Sequence, residues 1–504
     1  MGLGWYDASE TTMPTLLISI LTTSTLVFHW GIVIGLGLRI ILKRRARGVA
    51  IAWLFLITSL PFVGAVMYLL VGELWLPRRR IRIAKEVRAG LQGMVGRIED
   101  QWELADDQLP ELARTLNAQT HAPLGLTALG GNELELFDSC ESCTDALVDD
   151  ILNAQHSVSM LFYIWQSAGQ IQRVEQALLD AVGRGVKVRL LIDGAGSKEF
   201  LRSPRANQLR KRGIEIVEAL PVGLLRMLFE RIDIRNHRKI VVIDHSIAYT
   251  GSMNMVDPAY FKVGAGFGQW VDVMARIQGP VARVLGMHMG MDWAIEDRIS
   301  KADHAGEMIK AIEQQGEIAA AGTIAAQVVP SGPDQDEQII HEMLITLIYN
   351  AKTRLVITTP YFVPSESMLQ AMVSAAHRGV RVSLVVPKNI DSVLVRHASR
   401  SYFEDLLEAG IELYAYTGGL LHAKTVTADH NVAMLGSVNM DLRSFSINFE
   451  LSLFVYDTEF MKKLRDLQQS YIEQSERIES EAWAERSMVT RAIENTMQLM
   501  APIL

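Results

Sequence analysis

Two long apolar stretches open the chain, and a different pattern follows them. Thr11 to Leu38 carries no acidic or strongly basic side chain, and Gly48 to Gly72 is free of charge. Each exceeds the roughly 20 residues needed to cross a bilayer, so they predict two membrane helices over about 12–41 and 48–76. Beyond residue 77 the apolar positions fall into short runs. Val158 to Trp165 reads as a buried strand, a helical stretch runs through Leu178 and Ala181, and Val186 to Ile192 is a second strand. The second half answers it: Leu355 to Tyr361 is the strand, Met368 to Ala376 the helix and Val380 to Val386 the second strand. Gly213-Ile-Glu-Ile216 and Gly410-Ile-Glu-Leu413 continue the match. Near-continuous apolar strands alternating with helices predict parallel β-α-β units covered on both faces. The fold class is therefore α/β, with two pseudo-symmetric α/β sandwich halves after two N-terminal transmembrane or membrane-embedded helices.

The expected division is an anchor over 1–76, a basic juxtamembrane and linker region over 77–130, a first half over 131–300, a linker over 301–334, a second half over 335–475 and an amphipathic C-terminal segment over 476–504. The repeat also breaks. Val217 lies 20 residues before His237, but the matching Tyr414 lies 8 before His422. The extra stretch, Leu224 to Arg235, sets leucine, methionine and phenylalanine beside arginines and suits either a lip that meets a bilayer surface or an ordinary packed helix. In the C-terminal segment Trp483, Met488, Val489, Ile493 and Met497 recur at helical spacing, which favours core packing.

Charge constrains topology and partners. Arg39, Lys43, Arg44, Arg45 and Arg47 separate the two apolar stretches, and Arg78, Arg79, Arg80, Arg82, Lys85 and Arg88 follow the second. Both clusters ask for the cytoplasmic side, which two simple spans cannot satisfy; a hairpin or re-entrant second segment with Pro61 near its middle can. A signal peptide fits poorly, because Asp7 and Glu10 precede the first stretch. The formal net charge of −8 argues against a nucleic-acid partner, whereas the basic cluster after Pro77 suits anionic lipid head groups. Cys140 and Cys143 are too few for a four-cysteine zinc site, and no function is assigned to them.

The chemistry lies in a duplicated motif. His237-x-Lys239-x4-Asp244 and His422-x-Lys424-x4-Asp429 are each followed by Gly-Ser-x-Asn, giving Ser252 and Asn254 in one half and Ser437 and Asn439 in the other. A phosphodiester is an anion, so attack on phosphorus needs cationic and amide donors, and two lysines with two asparagines supply them. A neutral imidazole can attack phosphorus while a protonated one donates to the departing alkoxide. One site thus needs two histidines, which a chain with two copies can build between its halves, without a cofactor or metal. Asp244 and Asp429 each stand one residue beyond an apolar run, where an aspartate also stabilises a turn. Asp272, 35 residues after His237, and Glu450, 28 after His422, sit among apolar residues and are the expected carboxylates that orient the imidazoles. The competing reading is ion pairs with Arg276 and Arg443.

These motifs resemble the phospholipase D superfamily from about Leu134 to Ser475. The two apolar stretches, Thr250 to Pro258, Thr359 to Pro364 and Gly418 to His422 are similar to the membrane-anchored bacterial cardiolipin synthases. That resemblance implies phospholipase D-like halves and transfer of a phosphatidyl group between two phosphatidylglycerol molecules, giving cardiolipin and glycerol. His237, Lys239, Asp244, His422, Lys424 and Asp429 would be catalytic, with Ser252, Asn254, Ser437 and Asn439 on the phosphate. It further implies a multi-pass protein of the bacterial inner membrane; homo-oligomerisation stays open. Attack by water instead would make a phospholipase D releasing phosphatidic acid. A non-catalytic scaffold on anionic lipid is the third reading, and two complete motifs disfavour it.

Overall fold

The computed structural model describes residues 12–43, 47–60, 62–72, 76–223, 231, 233–300, 318–334 and 338–499. Asp7 and Glu10, Arg44 and Arg45, Pro61, the insertion from Leu224 to Glu230 and the linker positions 301–317 lie outside them. The chain divides into two units, Met1–Trp75 with Leu224–Asp233, and Leu76–Gly223 with Ile234–Leu504.

In the first unit a helix spans Thr12–Leu42. Its segment Ile18–Leu42, with mean hydropathy 1.9, is the one helix among the described residues long and apolar enough to cross a membrane. Val27, Ile34 and most of its other large apolar side chains are bare, as lipid-facing positions are. The second apolar stretch does not form one continuous helix of that length. Its helix Arg47–Ser59 has 13 residues, about 20 Å at 1.5 Å per residue and short of the roughly 30 Å hydrocarbon core. After a break come a helical turn, Val63–Met67, and a π-helical turn, Tyr68–Gly72. These fold back, with the rings of Trp53 and Tyr68 edge-to-face at 5.4 Å. The expected membrane helix over 48–76 is thus a broken helical hairpin.

The second unit holds both repeats. Its first half carries β1 (Leu129–Phe137), β2 (Ser157–Phe162), β3 (Lys187–Asp193), β4 (Glu215–Ala219), β5 (Ile240–Ile243), β6 (Ile247–Gly251), β7 (Trp270–Val271) and β8 (Met274–Gln278). The second carries β9 (Ile324–Ser331), β10 (Arg354–Thr358), β11 (Phe362–Val363), β12 (Arg381–Pro387), β13 (Glu412–Tyr416), β14 (Leu420–Leu421), β15 (Thr425–Ala428), β16 (Val432–Gly436), β17 (Met440–Asp441), β18 (Glu450–Val455) and β19 (Ser475–Ile478). From the centre outward, β1-β8-β6-β5-β2-β3-β4 on one side is mirrored by β9-β18-β16-β15-β10-β12-β13 on the other, with β19 added at that edge. The halves join where β1 pairs antiparallel with β9. Within this large sheet parallel pairing is confined to the outer strands, β2-β3-β4 and β10-β12-β13. Each motif strand, β5 or β15, makes an antiparallel hairpin with the next.

Helices cover the sheet as the apolar spacing requires. Gln170–Gly183 buries Ile171, Val174, Leu178 and Ala181, and Glu366–His377 buries Met368, Leu369 and Met372. Helix Arg78–Trp102, expected as a lipid-facing basic segment, buries Ala84 and Val87 in the central core. Arg79 donates to the carbonyls of Arg298 and Ile299 at the end of helix Pro280–Ser300, Arg80 pairs with Glu296 and Arg88 with Asp334. Half of the basic cluster thus holds the fold together, while Arg78, Arg82 and Lys85 stay exposed. At the C-terminus Trp483 is buried between the guanidiniums of Arg400 and Arg486, 4.6 and 4.1 Å from its ring. Met488 and Val489, expected in the core, are 85% and 69% exposed.

Candidate active site

Two very short parallel ladders build the site. Leu420 and Leu421 of β14 pair with Trp270 and Val271 of β7, and the His422 amide donates to the Val271 carbonyl at 2.8 Å. In the matching place Asn236 bridges to Phe449, and the His237 amide donates to the Phe449 carbonyl at 2.8 Å. The residue after Val271 is Asp272 and the residue after Phe449 is Glu450, so each ladder lays a carboxylate beside the histidine of the opposite half. His237 Nδ1 lies 2.9 Å from Glu450 Oε2, and His422 Nδ1 lies 2.7 Å from Asp272 Oδ1. Both expected carboxylates reach an imidazole, but crosswise, and not the histidine of their own half from which the spacing was counted. Arg276, the alternative partner of Asp272, engages Asp150 instead. With both Nδ1 atoms engaged, Nε2 is the free nitrogen of each ring.

The lysines are fixed identically. Lys239 Nζ donates to the His237 carbonyl and Lys424 Nζ to the His422 carbonyl, both at 2.6 Å. Both are wholly buried, and each ammonium keeps two further donors for an anion. Asn254 accepts the Ile164 amide through Oδ1 at 3.1 Å, while its Nδ2 is buried without a partner. Asn439 likewise leaves Oδ1 without a partner. An orphaned buried polar atom costs free energy unless a ligand satisfies it, so the Asn254 Nδ2 donor fits the expected phosphate role, whereas the orphan of Asn439 is an acceptor and suits a substrate hydroxyl instead.

Two expectations change. The Ser252 hydroxyl donates to Asp272 Oδ1 at 2.6 Å and accepts the Val273 amide; Ser437 accepts the Leu451 amide at 2.9 Å. These bonds tie both hydroxyls to the orienting carboxylates and their strands, which fits a supporting role better than the phosphate contact expected of them. Asp244 accepts the backbone amides of Gln155, His156 and Ser157, and Asp429 those of Lys352, Thr353 and Arg354. Both adopt positive φ, 48° and 51°. They staple the motif turn to the start of β2 or β10 rather than bonding to His237, Lys239, His422 or Lys424, an arrangement that fits a structural role in place of the expected catalytic one.

Electrostatics favour an anionic ligand. Burial pushes Lys424 down to about 7 and Lys239 to about 8, more than the neighbouring carboxylates raise them, and Lys239 depresses Lys424 further. Burial also holds His422 down to about 4 against the pull of Asp272, and lowers His237 against that of Glu450. For Asp272, burial acts upward, but His422, Lys424 and Ser252 together bring it to about 2. Within each pair a low carboxylate favours an imidazolium and a low imidazole opposes one. We assign the neutral imidazole hydrogen-bonded to a carboxylate, because both groups are sealed from water and two lysines already stand nearby.

A family model described as "Cardiolipin synthase, PLD-like domain" matches residues 147–263 and 344–471, and one described as "Phospholipase_D-nuclease N-terminal" matches 32–73. Cardiolipin synthase A of Yersinia pseudotuberculosis serotype O:1b is 42% identical over 478 residues, 94% of this chain and 97% of that protein, and the Yersinia pestis protein matches equally. The chain belongs to the bacterial cardiolipin synthases. Phosphatidylserine synthase of Haemophilus influenzae shares the fold, with TM-score 0.57 at 13% identity over 77% of this chain and 97% of that one.

Several residues of this cardiolipin synthase site escaped the motif. Arg238, between His237 and Lys239, sends Nη1 to both oxygens of Asp292 at 2.7 Å, Nε to the Glu450 carbonyl at 2.9 Å and Nη2 to the Ser331 carbonyl at 3.0 Å. Asp193 accepts the Asn236 amide at 3.0 Å and Arg235 at 3.3 Å. Trp270 lies 4.2 Å from the His422 ring at 31°, and Tyr163 meets His237 edge-on at 5.1 Å. Trp270, two residues before Asp272, was the one with a sequence signal.

Proposed function

We propose that this cardiolipin synthase exchanges phosphatidyl groups between two phosphatidylglycerol molecules, and that the crossed His-carboxylate pairs carry the reaction. The phosphodiester sits between Lys239, Lys424 and the free Nδ2 of Asn254, whose donors stabilise charge gathering on its oxygens. Its negative charge offsets the burial that keeps the imidazoles neutral, so one takes up a proton on Nε2. Nε2 of His237 attacks phosphorus, the bond to glycerol breaks, and His422 gives its Nε2 proton to the departing alkoxide. His422 then takes the hydroxyl proton of the second phosphatidylglycerol, whose oxygen attacks phosphorus as the bond to His237 breaks. Cardiolipin and glycerol leave, and both histidines regain their starting states. Asp272 and Glu450 hold Nδ1 of the opposite ring throughout.

The membrane segments fit a single span followed by a re-entrant hairpin. Helix Arg47–Ser59 is too short to cross, so the chain leaves the bilayer on the side where it entered, and both arginine clusters occupy one face. On this reading the anchor is a single span with a re-entrant hairpin in place of a multi-pass one, and the catalytic unit works on the cytoplasmic side.

The deciding experiment supplies the full chain with phosphatidylglycerol in liposomes, with EDTA and no nucleotide, and follows lipids and glycerol by mass spectrometry. Equimolar cardiolipin and glycerol are expected, with His237→Ala and His422→Ala each about 10⁴-fold slower or worse. Phosphatidic acid as the sole lipid product would make the protein a hydrolase; turnover surviving either alanine would sink the mechanism.

A further inference from the structure

The catalytic unit leaves few large apolar side chains exposed, and they are not scattered. Among the described residues only Ile81, Leu152 and Tyr349 lie apart; the rest fall on the loop 258–269, helix Val393–Ser401 and helix Met488–Leu499. Tyr260 and Val263 are 59% and 74% exposed, Val393 60% and Val489 69%. The three segments adjoin. Lys262 Nζ on the loop pairs with Asp391 at 3.0 Å, just before the second segment, and Arg400 on the second pairs with Glu494 on the third at 2.7 Å.

This surface runs on from the wall of the active site. Phe261 packs edge-on against Trp270 at 4.9 Å, and Trp270 covers His422. Asp391, which holds Lys262, also accepts the Tyr361 hydroxyl at 2.6 Å. The apolar strip therefore starts at a catalytic ring and ends on the C-terminal helix.

We infer that this strip is a second, peripheral membrane contact, which rests on an anionic bilayer surface and gives the acyl chains of substrate an apolar route to His422. The inference rests on the phosphatidyl-transfer reading for its substrate. A bilayer is favoured over a protein partner because the chain carries the Ile18–Leu42 helix and so always works within reach of one. Basic side chains, Lys262, Arg396 and Arg491, are interspersed with the apolar ones, the composition that suits anionic head groups. A contiguous exposed apolar surface beside a site is also what a lipid-handling face requires.

The test uses the full chain in phosphatidylglycerol-containing vesicles. A cysteine is introduced by Val263→Cys, Val489→Cys or, as control, Leu152→Cys, and labelled with an environment-sensitive dye; the unsubstituted chain is the blank. Spin-labelled lipids are expected to quench the dye at 263 and 489 several-fold more than at 152, and equal quenching at all three overturns the proposal. A second variant, Val393→Ser with Leu394→Ser, is expected to lower turnover of long-chain phosphatidylglycerol in vesicles about tenfold and to leave that of a short-chain, monomeric analogue unchanged. Unchanged vesicle turnover also overturns it. If the unsubstituted chain turned over neither lipid, the transfer reading would fail, while the quenching result would still decide the docking face.

Discussion

Around His237 the supporting contacts are ionic; around His422 they are aromatic and steric. Arg238 ties the first motif to Asp292, to the Glu450 carbonyl and to Ser331, and Asp193 fixes the backbone just before it. The same position in the second motif is Ala423, buried and without charge. There Trp270 lies on the His422 ring, and Gly268 approaches Gly419 so closely that a Cβ would stand 2.8 Å from the Gly419 Cα. The reacting groups are nevertheless alike: one Nδ1-held imidazole and one carbonyl-held lysine in each half. Duplication thus kept the same reacting groups in both halves and let the scaffold beneath them diverge, so the two motifs should differ in which scaffold substitutions they tolerate.

The sharpest break should come at that scaffold. Arg238→Met leaves Asp292 as an uncompensated buried charge and is expected to cost about 3–5 kcal/mol of stability, read by denaturant unfolding in detergent; a loss under 1 kcal/mol would erase the distinction between the halves. Next in size, Glu450→Gln and Asp272→Asn should each lower kcat on the order of 10²-fold, because each frees an imidazole of the opposite half. If only one of the two lowers kcat, the crossed pairs do not work as equals. A smaller effect is expected from Asp244→Asn and Asp429→Asn, which weaken a turn by roughly 1–2 kcal/mol through charge-assisted hydrogen bonds and leave kcat within about twofold. Loss of turnover in a folded Asp429→Asn protein would return that residue to the chemistry.

The finest comparison is between the lysines. With Lys424 near 7 and Lys239 near 8 in the empty site, both are partly deprotonated at pH 8, Lys424 the more. A bound anion raises both, so binding takes up protons at that pH, and the uptake should fall toward pH 5, where both lysines are already charged and only the proton taken by one imidazole is left. Calorimetry with inorganic phosphate in two buffers of unlike ionisation enthalpy measures it. Proton release at pH 8 would contradict the assigned depression.

The duplicated motif, the strand pattern and both carboxylates were legible in the chain, because each leaves a local signature. Their crossing was not. Spacing counts along the chain, and 35 or 28 residues point to the nearer histidine; the ladders that decide the matter, β7 with β14 and Asn236 with Phe449, are too short for any periodicity to reveal. Asp244 and Asp429 sit within a conspicuous pattern, yet only their positive φ and three amide partners show that they close a turn. Hydropathy saw 25 uncharged residues from Gly48 to Gly72 but not the break after Ser59, which depends on Gly64 lying against Leu56. The exposed face of the last helix was missed because helical spacing shows that a stripe exists, not what covers it.

The crossed pairs also bear on when the enzyme becomes reactive. His237 and Glu450 lie 213 residues apart, and at about 5–20 residues per second a ribosome needs roughly 10–40 s to travel between them. During that interval the membrane helix and the entire first motif have been made, yet the imidazole has no partner for its Nδ1 and no second imidazole to protonate a leaving group. On the proposed mechanism a nascent first half lacks the partners that the reaction needs, and the power to cut phosphodiesters is expected only once the last strands of the chain are made.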